Sequence, residues 1–503
     1  MASTFAVTRN HLIFGLCLPL AVLMGYLLAE PFESTSLTVL LMISAVLIVP
    51  ALLRWYHPLL ILSWNLAVSL AYLPGAPQLW ALMSLMGVFF AMLNRSVNPD
   101  FRFAHVPSIT LPMLVLLGVV AATAMATGGI GMRVLGSQTV GGRGYFYLAA
   151  AVAGYFALSS QTIRPSRAML CVALFFLPGV TAIIGRLAQA AGSNASFLFD
   201  FFPPDAIPDD FVLDQTFELG ISRTSGIVTL AMAIFSWVLA RYGVAGVFNL
   251  SRPWRMAILL AAVALGTFGG FRSALLLMGL TFLVLFFMER LWGTRIFLIL
   301  LLGMTLGGAL LVGFADRLPL TVQRTLSFLP VEIDAQTRNS AQDSTEWRVE
   351  MWKSLLPQVP KYFFKGKGFN ASGDDLFMSQ ESVGRGLASR WEVAAVAGDY
   401  HNGFLSVIIP FGIWGLAAFV WLLAAGARFL YTNFRDGAPE LRRVNAFLFA
   451  LFLARVLFFF VVYGALSGEF YQFTGILGLS VALNVTRQRP NDPGEETMAN
   501  EHG

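Results

Sequence analysis

Asp399, Tyr400, His401 and Asn402 stand together in AGDYHNGFLSVIIPFGIWG, residues 397–415, at the threshold of about twenty residues without a charge. His401 is one of only five histidines in the chain. Imidazole, with an ordinary pKa of ~6.5, is suited to take a proton from a hydroxyl near neutral pH, and a nearby carboxylate such as Asp399 is the kind of group that orients it. Asn402 is a good helix N-cap, a structural use that accounts for neither His401 nor Asp399. Three arginines complete the set: Arg272 in ALGTFGGFRSALLL, Arg223 in LGISRTSGIV and Arg348 in STEWRVEMWKSLLPQVP. A guanidinium binds anionic oxygens in a fixed fork and keeps its charge at any relevant pH. Each arginine also has a plain structural reading. Arg223 and Arg272 would serve as headgroup anchors, and Arg348 as an ion-pair partner on an amphipathic helix.

The elements that must position these residues are membrane helices. Of the 503 residues, 57% are hydrophobic and 12% charged, about half the ~25% charged share of an ordinary soluble domain. Apolar runs long enough to cross a bilayer recur along the whole chain. They fall near 12–29, 37–53, 58–74, 79–93, 111–126, 145–159, 168–184, 226–240, 256–270, 273–288, 296–313, 402–425, 444–463 and 467–486. The fold class expected is an all-α polytopic membrane bundle of about 14 transmembrane helices, with one large outer-face helical loop between spans 11 and 12. The first run follows Arg9 and has the look of a signal peptide, but the train of later spans favours a retained helix.

Arginines set the orientation. About seventeen fall on alternate linkers and about five on the others, so the positive-inside rule puts both termini in the cytoplasm. Arg272, Arg223, Arg348 and His401 then all lie at the outer face. Arg455, in FLFALFLARVLFFFVVYG, is the one arginine near the middle of a span: either it faces the bundle interior and pairs there with a group such as Glu469, or it marks a wrong span boundary. The chain divides into N-terminal helices over 1–184, a core over 185–425 with its outer loop at 314–401, C-terminal helices over 426–486 and a polar tail over 487–503. Within the outer loop, Ser344 or Thr345 ahead of acids reads as a capping box opening a helix.

Much soluble chemistry is unsupported. Cys17 and Cys171 sit inside expected spans, so neither a disulfide nor a zinc cluster is indicated. No GxxxxGK[ST] phosphate loop occurs. GKGFNASG reads as a turn, and no compact acidic cluster calls for a metal. No cofactor and no nucleic acid are expected.

HNGFLSVIIPFGIWG resembles the signature of the O-antigen ligases, His-Asn followed by a Gly-x-x-Gly: His401, Asn402, Gly412 and Gly415. FGGFRSALLL is similar to that family's Ser-Arg-Gly turn, with Phe271 and Ser273 in place of its serine and glycine. STEWRVEMWKSLLPQVPKYFFKGKGF is similar to its Arg-x-x-x-Trp helix running into a Gly-x-Gly turn, and SRTSGI to its outer-face arginine. The resemblance covers about 215–425 and departs at Pro410, which stands where an acid is often found and would kink the helix. It implies a multi-pass protein of the inner (cytoplasmic) membrane with its active site on the periplasmic face. It also implies a glycan donor on polyprenyl (undecaprenyl) pyrophosphate, a sugar or glycolipid acceptor and no metal. His401, Arg272 and Arg348 would be catalytic, and Arg223, Asn402 and Asp399 would bind substrate.

The leading expectation is therefore a membrane glycosyltransferase, either a ligase or a polysaccharide polymerase. The alternative is a transporter or flippase of lipid-linked sugars, which should place ionisable groups along a path near the bilayer midplane. Only Arg455 fits that demand. A scaffold for glycan export would leave the outer arginines without a task. The orientation is open to direct test. With Cys17 and Cys171 replaced by alanine, a cysteine at Ser344 should react with an impermeant thiol reagent in spheroplasts while one at Ser251 should not. Equal labelling overturns the topology.

Overall fold

A computed structural model describes residues 18–19, 21–22, 25, 34–97, 103–104, 106–131, 137, 139–203, 224–328 and 332–485. Residues 1–56 and 57–503 form two compact units. In the first, the chain is helical from Ser34 onward, in α1 (Ser34–Ser63), which runs on into the second unit. The expected span 12–29 lies largely outside the described residues, as does Arg223.

The second unit is built from helices in chain order. The first group is α2 (Leu79–Val97), α3 (Pro107–Thr127), α4 (Gly142–Ser159), α5 (Pro165–Phe176) and α6 (Ile183–Ala191), followed by α7 (Ser225–Val247), α8 (Trp254–Phe268), α9 (Arg272–Met288) and α10 (Arg295–Phe314). A large connecting segment then carries α11 (Leu320–Thr325), α12 (Ala335–Leu355), α13 (Gln358–Tyr362), α14 (Gly373–Gly384) and α15 (Arg390–Ala397). The chain ends in α16 (Gly403–Asp436), α17 (Arg442–Val461) and α18 (Leu466–Asn484). Two-residue strands, β1 (Thr139–Val140) and β2 (Ala371–Ser372), pair antiparallel and tie that segment to the start of α4.

Among the described residues, seven helical stretches are long and apolar enough to cross a membrane, and α8 and α9 are shorter apolar helices. Helices also occupy three more of the segments expected to span, in α1, α4 and α18. α10 is apolar all round and has no buried residue, with Leu298, Leu302 and Met304 all more than 60% exposed. A helix of that kind is stable only against lipid or another apolar partner.

Two expectations change. The run 58–74 is helical only to Ser63, and residues 64–78, which contain Pro74, Gly75 and Pro77, are irregular. Non-helical backbone within an apolar bundle needs partners from the protein. Here Asn65 Nδ2 donates to Phe175 O at 2.8 Å, Ala67 N to Thr181 Oγ1 at 3.1 Å, and Ser69 N to Phe201 O at 2.8 Å. The capping box is also elsewhere. α12 starts at Ala335, capped by Asp334, whose carboxylate accepts from Thr337 N at 2.8 Å. The polar stretch before Ser344 holds no proline or glycine to stop the helix, so it forms the first turns of α12. Reciprocal capping appears at Ser389 and Glu392, opening α15.

The packing that fixes the site is a break in α16. Pro410 lacks an N–H, and Gly412 adopts φ 65°, ψ −167°, a conformation open essentially to glycine alone. The turn 363–368 fills the gap. Lys367 N donates to Ile409 O and Gly368 N to Pro410 O, both at 2.8 Å, while Ile413 N donates to Phe363 O at 2.7 Å. Gly366 sits where a side chain would strike the Pro410 carbonyl. Phe369 follows directly, packed between Tyr145 and Phe411, and its N–H donates to Tyr145 Oη at 2.9 Å.

Gly412→Ala should therefore cost about 1–3 kcal/mol of stability, read as a lowered melting temperature in detergent. Gly384→Ala, at the exposed last residue of α14 with open space around it, should be close to neutral. Equal melting temperatures for parent and Gly412→Ala would show that the break is not what holds the turn.

Candidate active site

His401 sits in the five-residue connection 398–402 between α15 and α16 with φ 49°, an uncommon backbone conformation for a non-glycine residue and one in which histidine is enriched. Asp399 holds it there. One carboxylate oxygen, Oδ1, lies 2.8 Å from His401 Nδ1 and 3.4 Å from the His401 backbone N. Asn402 then caps α16, its side chain accepting from Leu405 N at 3.1 Å. The four-residue cluster thus has a division of labour: Asn402 serves the helix, and Asp399 serves the histidine. Tyr400 faces inward with Met351, Leu355, Leu405 and Ile409. Burial, with a further contribution from Tyr362, pushes its phenol above the ordinary tyrosine range, so it remains neutral.

Two rings flank the imidazole. Trp347 meets it edge-on at 5.1 Å between centroids, and Tyr463, just beyond α17, lies at 4.9 Å. The Tyr463 hydroxyl is 3.5 Å from the other Asp399 oxygen. His401 keeps 18% of its side-chain surface exposed and Asp399 39%, so solvent reaches both.

α12 brings the arginines to this point. Ala341, Thr345, Arg348 and Trp352 are spaced by four, three and four residues and so share one face of the helix. At one end of that face Arg272, the first residue of α9, donates through one guanidinium nitrogen to Ala341 O at 2.9 Å and stands 3.5 Å from Thr345 Oγ1. At the other end Trp352 Nε1 donates to Tyr400 O at 2.9 Å, pinning α12 beside the histidine. Arg348 lies between, its guanidinium 5.7 Å from the Trp347 ring centre and close enough for its charge to act on the Tyr463 phenol. Of the expected residues, the structure thus gathers Arg272, Arg348, Asp399, His401 and Asn402 along one line. Arg223 lies outside the described residues, but its neighbour Thr224 donates to Gly269 O at 3.1 Å, beside the turn that carries Arg272.

Two cavities adjoin the line, and Tyr463 and Tyr471 belong to the walls of both. The first, about 570 Å³, reaches between the helices and is lined by Phe271, Ser273, Met232, Leu277, Leu451 and Arg455, among others. Arg455 pairs with Glu469 at 3.3 Å, the partner its position in a span called for. Its Nε, and the indole Nε1 of Trp64 on the same cavity, have no hydrogen-bond partner. The second cavity, about 1050 Å³, is bounded by loops and helix ends and includes Asp399.

Sequence reasoning missed Tyr463 and Trp347. The signal for Tyr463 was weak, an aromatic closing an apolar run in FFFVVYG, which is ordinary at a membrane interface. Among the described residues no three histidines, cysteines or carboxylates stand close enough to hold a metal ion.

Residues 255–420 match the family model described as O-antigen ligase. That stretch contains Arg272, Arg348, Asp399, His401 and Asn402, whereas Arg455, Tyr463 and both cavities' α18 residues lie beyond it. No curated protein matches the chain.

Proposed function

The chain is O-antigen ligase-like over residues 255–420, and on that premise we propose that it is an integral-membrane glycosyltransferase. It moves a glycan from a polyprenyl-pyrophosphate donor to a sugar hydroxyl at the outer face of the membrane. The observation that carries the reading is the Asp399–His401 pair, at 2.8 Å and solvent-accessible, on the end of the helix face that also bears Arg348 and meets Arg272.

The chemistry assigns each group a task. Asp399 accepts the Nδ1–H of His401, which leaves Nε2 to take the proton of the acceptor hydroxyl. The hydroxyl oxygen attacks the anomeric carbon, the carbon–oxygen bond to the pyrophosphate breaks, and that electron pair leaves on the phosphate oxygen. By resemblance the anomeric carbon inverts. Charge on the departing pyrophosphate grows in the transition state, where guanidinium groups held nearby stabilise it most. Arg272 and Arg348 take that role, with Arg223 as a further contact. The cavity between the helices suits the membrane-anchored donor. Its walls mix aliphatic and aromatic side chains, and it runs up to Phe271 and Ser273 on either side of Arg272.

The direct assay incubates purified protein with labelled polyprenyl-pyrophosphate glycan and two acceptors, a lipid A core and a growing repeat-unit chain. Transfer to the first identifies a ligase and growth of the second a polymerase. No reaction with either would remove the proposal in favour of a transporter.

Arg272→Lys and Arg348→Lys should each lose most activity, because an ammonium cannot make the planar two-point contact. Arg272 also contacts Ser327 Oγ at 3.4 Å, Ala341 O at 2.9 Å and Thr345 Oγ1 at 3.5 Å, so the melting temperature is read beside the rate: a purely structural Arg272 predicts a loss of stability that accounts for the lost activity. Near-parent rates in both variants would exclude phosphate binding by a guanidinium fork.

His401→Ala should lower turnover by about 10²–10⁴-fold while donor binding and the melting temperature hold. Asn402→Ala is the control: loss of the cap costs about 1 kcal/mol of stability and leaves the rate per folded molecule near the parent's. A folded His401→Ala protein with parental rates would take the histidine out of the mechanism.

A further inference from the structure

The loop-bounded cavity has a composition the transfer chemistry above does not use. Its aromatic residues are Trp80, Phe146, Tyr147, Phe369, Tyr463 and Tyr471, and its polar ones include Gln78, Arg143, Ser467 and Asp399. Trp80 is almost fully buried and acts as a backing plate. Tyr471 stacks on it at 4.7 Å with 15° between the planes, and Tyr147 leans on it at 5.7 Å and 32°. Both tyrosines remain half-buried at the cavity wall, so two rings are held nearly rigid and partly open. The Tyr147 hydroxyl accepts from Gln78 N at 3.2 Å, and the Arg143 guanidinium lies 5.6 Å from the Tyr147 ring centre.

A flat ring of fixed orientation beside amide, hydroxyl and guanidinium groups suits a pyranose, whose two faces are C–H surfaces and whose rim is hydroxyls. Rigid tyrosines supply such contact area at low entropic cost. The cavity volume, about 1050 Å³, lies at the upper end of the roughly 300–1,000 Å³ of small-molecule sites, which leaves room for more than one sugar ring. Among the described residues Arg143 is the sole cationic side chain that lines it, and none of those residues is an aliphatic one from the middle of a span. The cavity is therefore poorly matched to a lipid pyrophosphate. Asp399 forms part of its wall, so a sugar resting on the tyrosines presents its hydroxyls toward the His401 pair.

We infer that this cavity is the acceptor-saccharide site, with Tyr147 and Tyr471 as stacking platforms and Gln78 and Arg143 as hydroxyl contacts. The assignment rests on the glycosyltransferase reading for the word acceptor, but saccharide binding itself does not. Both Trp80, on α2, and the residues from Tyr463 to Tyr471 lie outside the stretch 255–420 that matches the family model. Acceptor choice is thereby placed on parts of the chain distinct from those that carry the base and the arginines.

The test uses the full-length protein in detergent and two probes, delipidated lipopolysaccharide core oligosaccharide and a free O-antigen repeat-unit oligosaccharide. Saturation-transfer NMR without any donor should show binding of at least one. Tyr147→Ala should abolish that signal, and Tyr147→Phe, which keeps the ring, should retain most of it. Tyr147 lines only this cavity, so in the transfer assay Tyr147→Ala should raise the acceptor KM about tenfold and leave the donor KM unchanged. A rise in donor KM with acceptor KM constant would assign the cavity to the donor glycan and overturn the proposal. So would saturation transfer to neither probe, or binding that Tyr147→Ala leaves intact. If the parent binds a probe through Tyr147 yet transfers nothing, the saccharide site stands and the glycosyltransferase reading falls.

Discussion

The break in α16 is the constraint on which the rest of the site depends. A continuous helix would satisfy its own carbonyls and offer nothing to a neighbour. Pro410 and Gly412 leave the Ile409 and Pro410 carbonyls and the Ile413 N–H without helical partners, and in an apolar bundle such groups must be paired within the protein. The turn 363–368 pairs all three. The same turn continues into Phe369, which is gripped by Tyr145 and Phe411, and into β2, which pairs with β1. One interruption of a helix thus fastens the long segment between α10 and α16 to the bundle. That anchoring matters in lipid, where close packing and hydrogen bonding replace much of the hydrophobic driving force between helices.

With its C-terminal flank fixed, α12 becomes a ruler. Its one face carries contacts for Arg272, then Arg348, then the Trp352 bond to the Tyr400 carbonyl. The histidine at the end of that ruler is held in a rare backbone conformation by a carboxylate two residues before it. Strain of this kind persists where the surroundings over-determine it, and here an N-cap, a tryptophan ring and a tyrosine ring all do so. The site is therefore assembled from distant sequence positions, by a helix whose own residues are mostly polar.

Tyr463 separates the two cavities and touches the His401 ring. The cavity between the helices holds the Arg455–Glu469 pair, and the loop-bounded one holds Asp399. His401 itself lines neither cavity; it reaches them through its ring contact with Tyr463 and its hydrogen bond to Asp399.

Sequence alone determined the helical, membrane-spanning class and singled out the candidate residues, because each is written in local composition or in contiguous motifs. Apolar runs report membrane helices without reference to neighbours, and the His-Asn pair with its trailing glycines is readable as a string. Even the Arg455–Glu469 pairing followed from the cost of a lone charge in a span. What sequence left open was decided by tertiary contact. The failed helix after Ser63 owes its stability to acceptors on α5 and the turns after it. The start of α12 moved to Ala335, capped by Asp334, because nothing in the intervening residues stops a helix once it is docked at Arg272 and Tyr400. Tyr463 and Trp347 gained their importance only through a ring contact with His401 across 62 and 54 positions of sequence. No local pattern encodes such a contact, since it exists only when several separately placed helices have met.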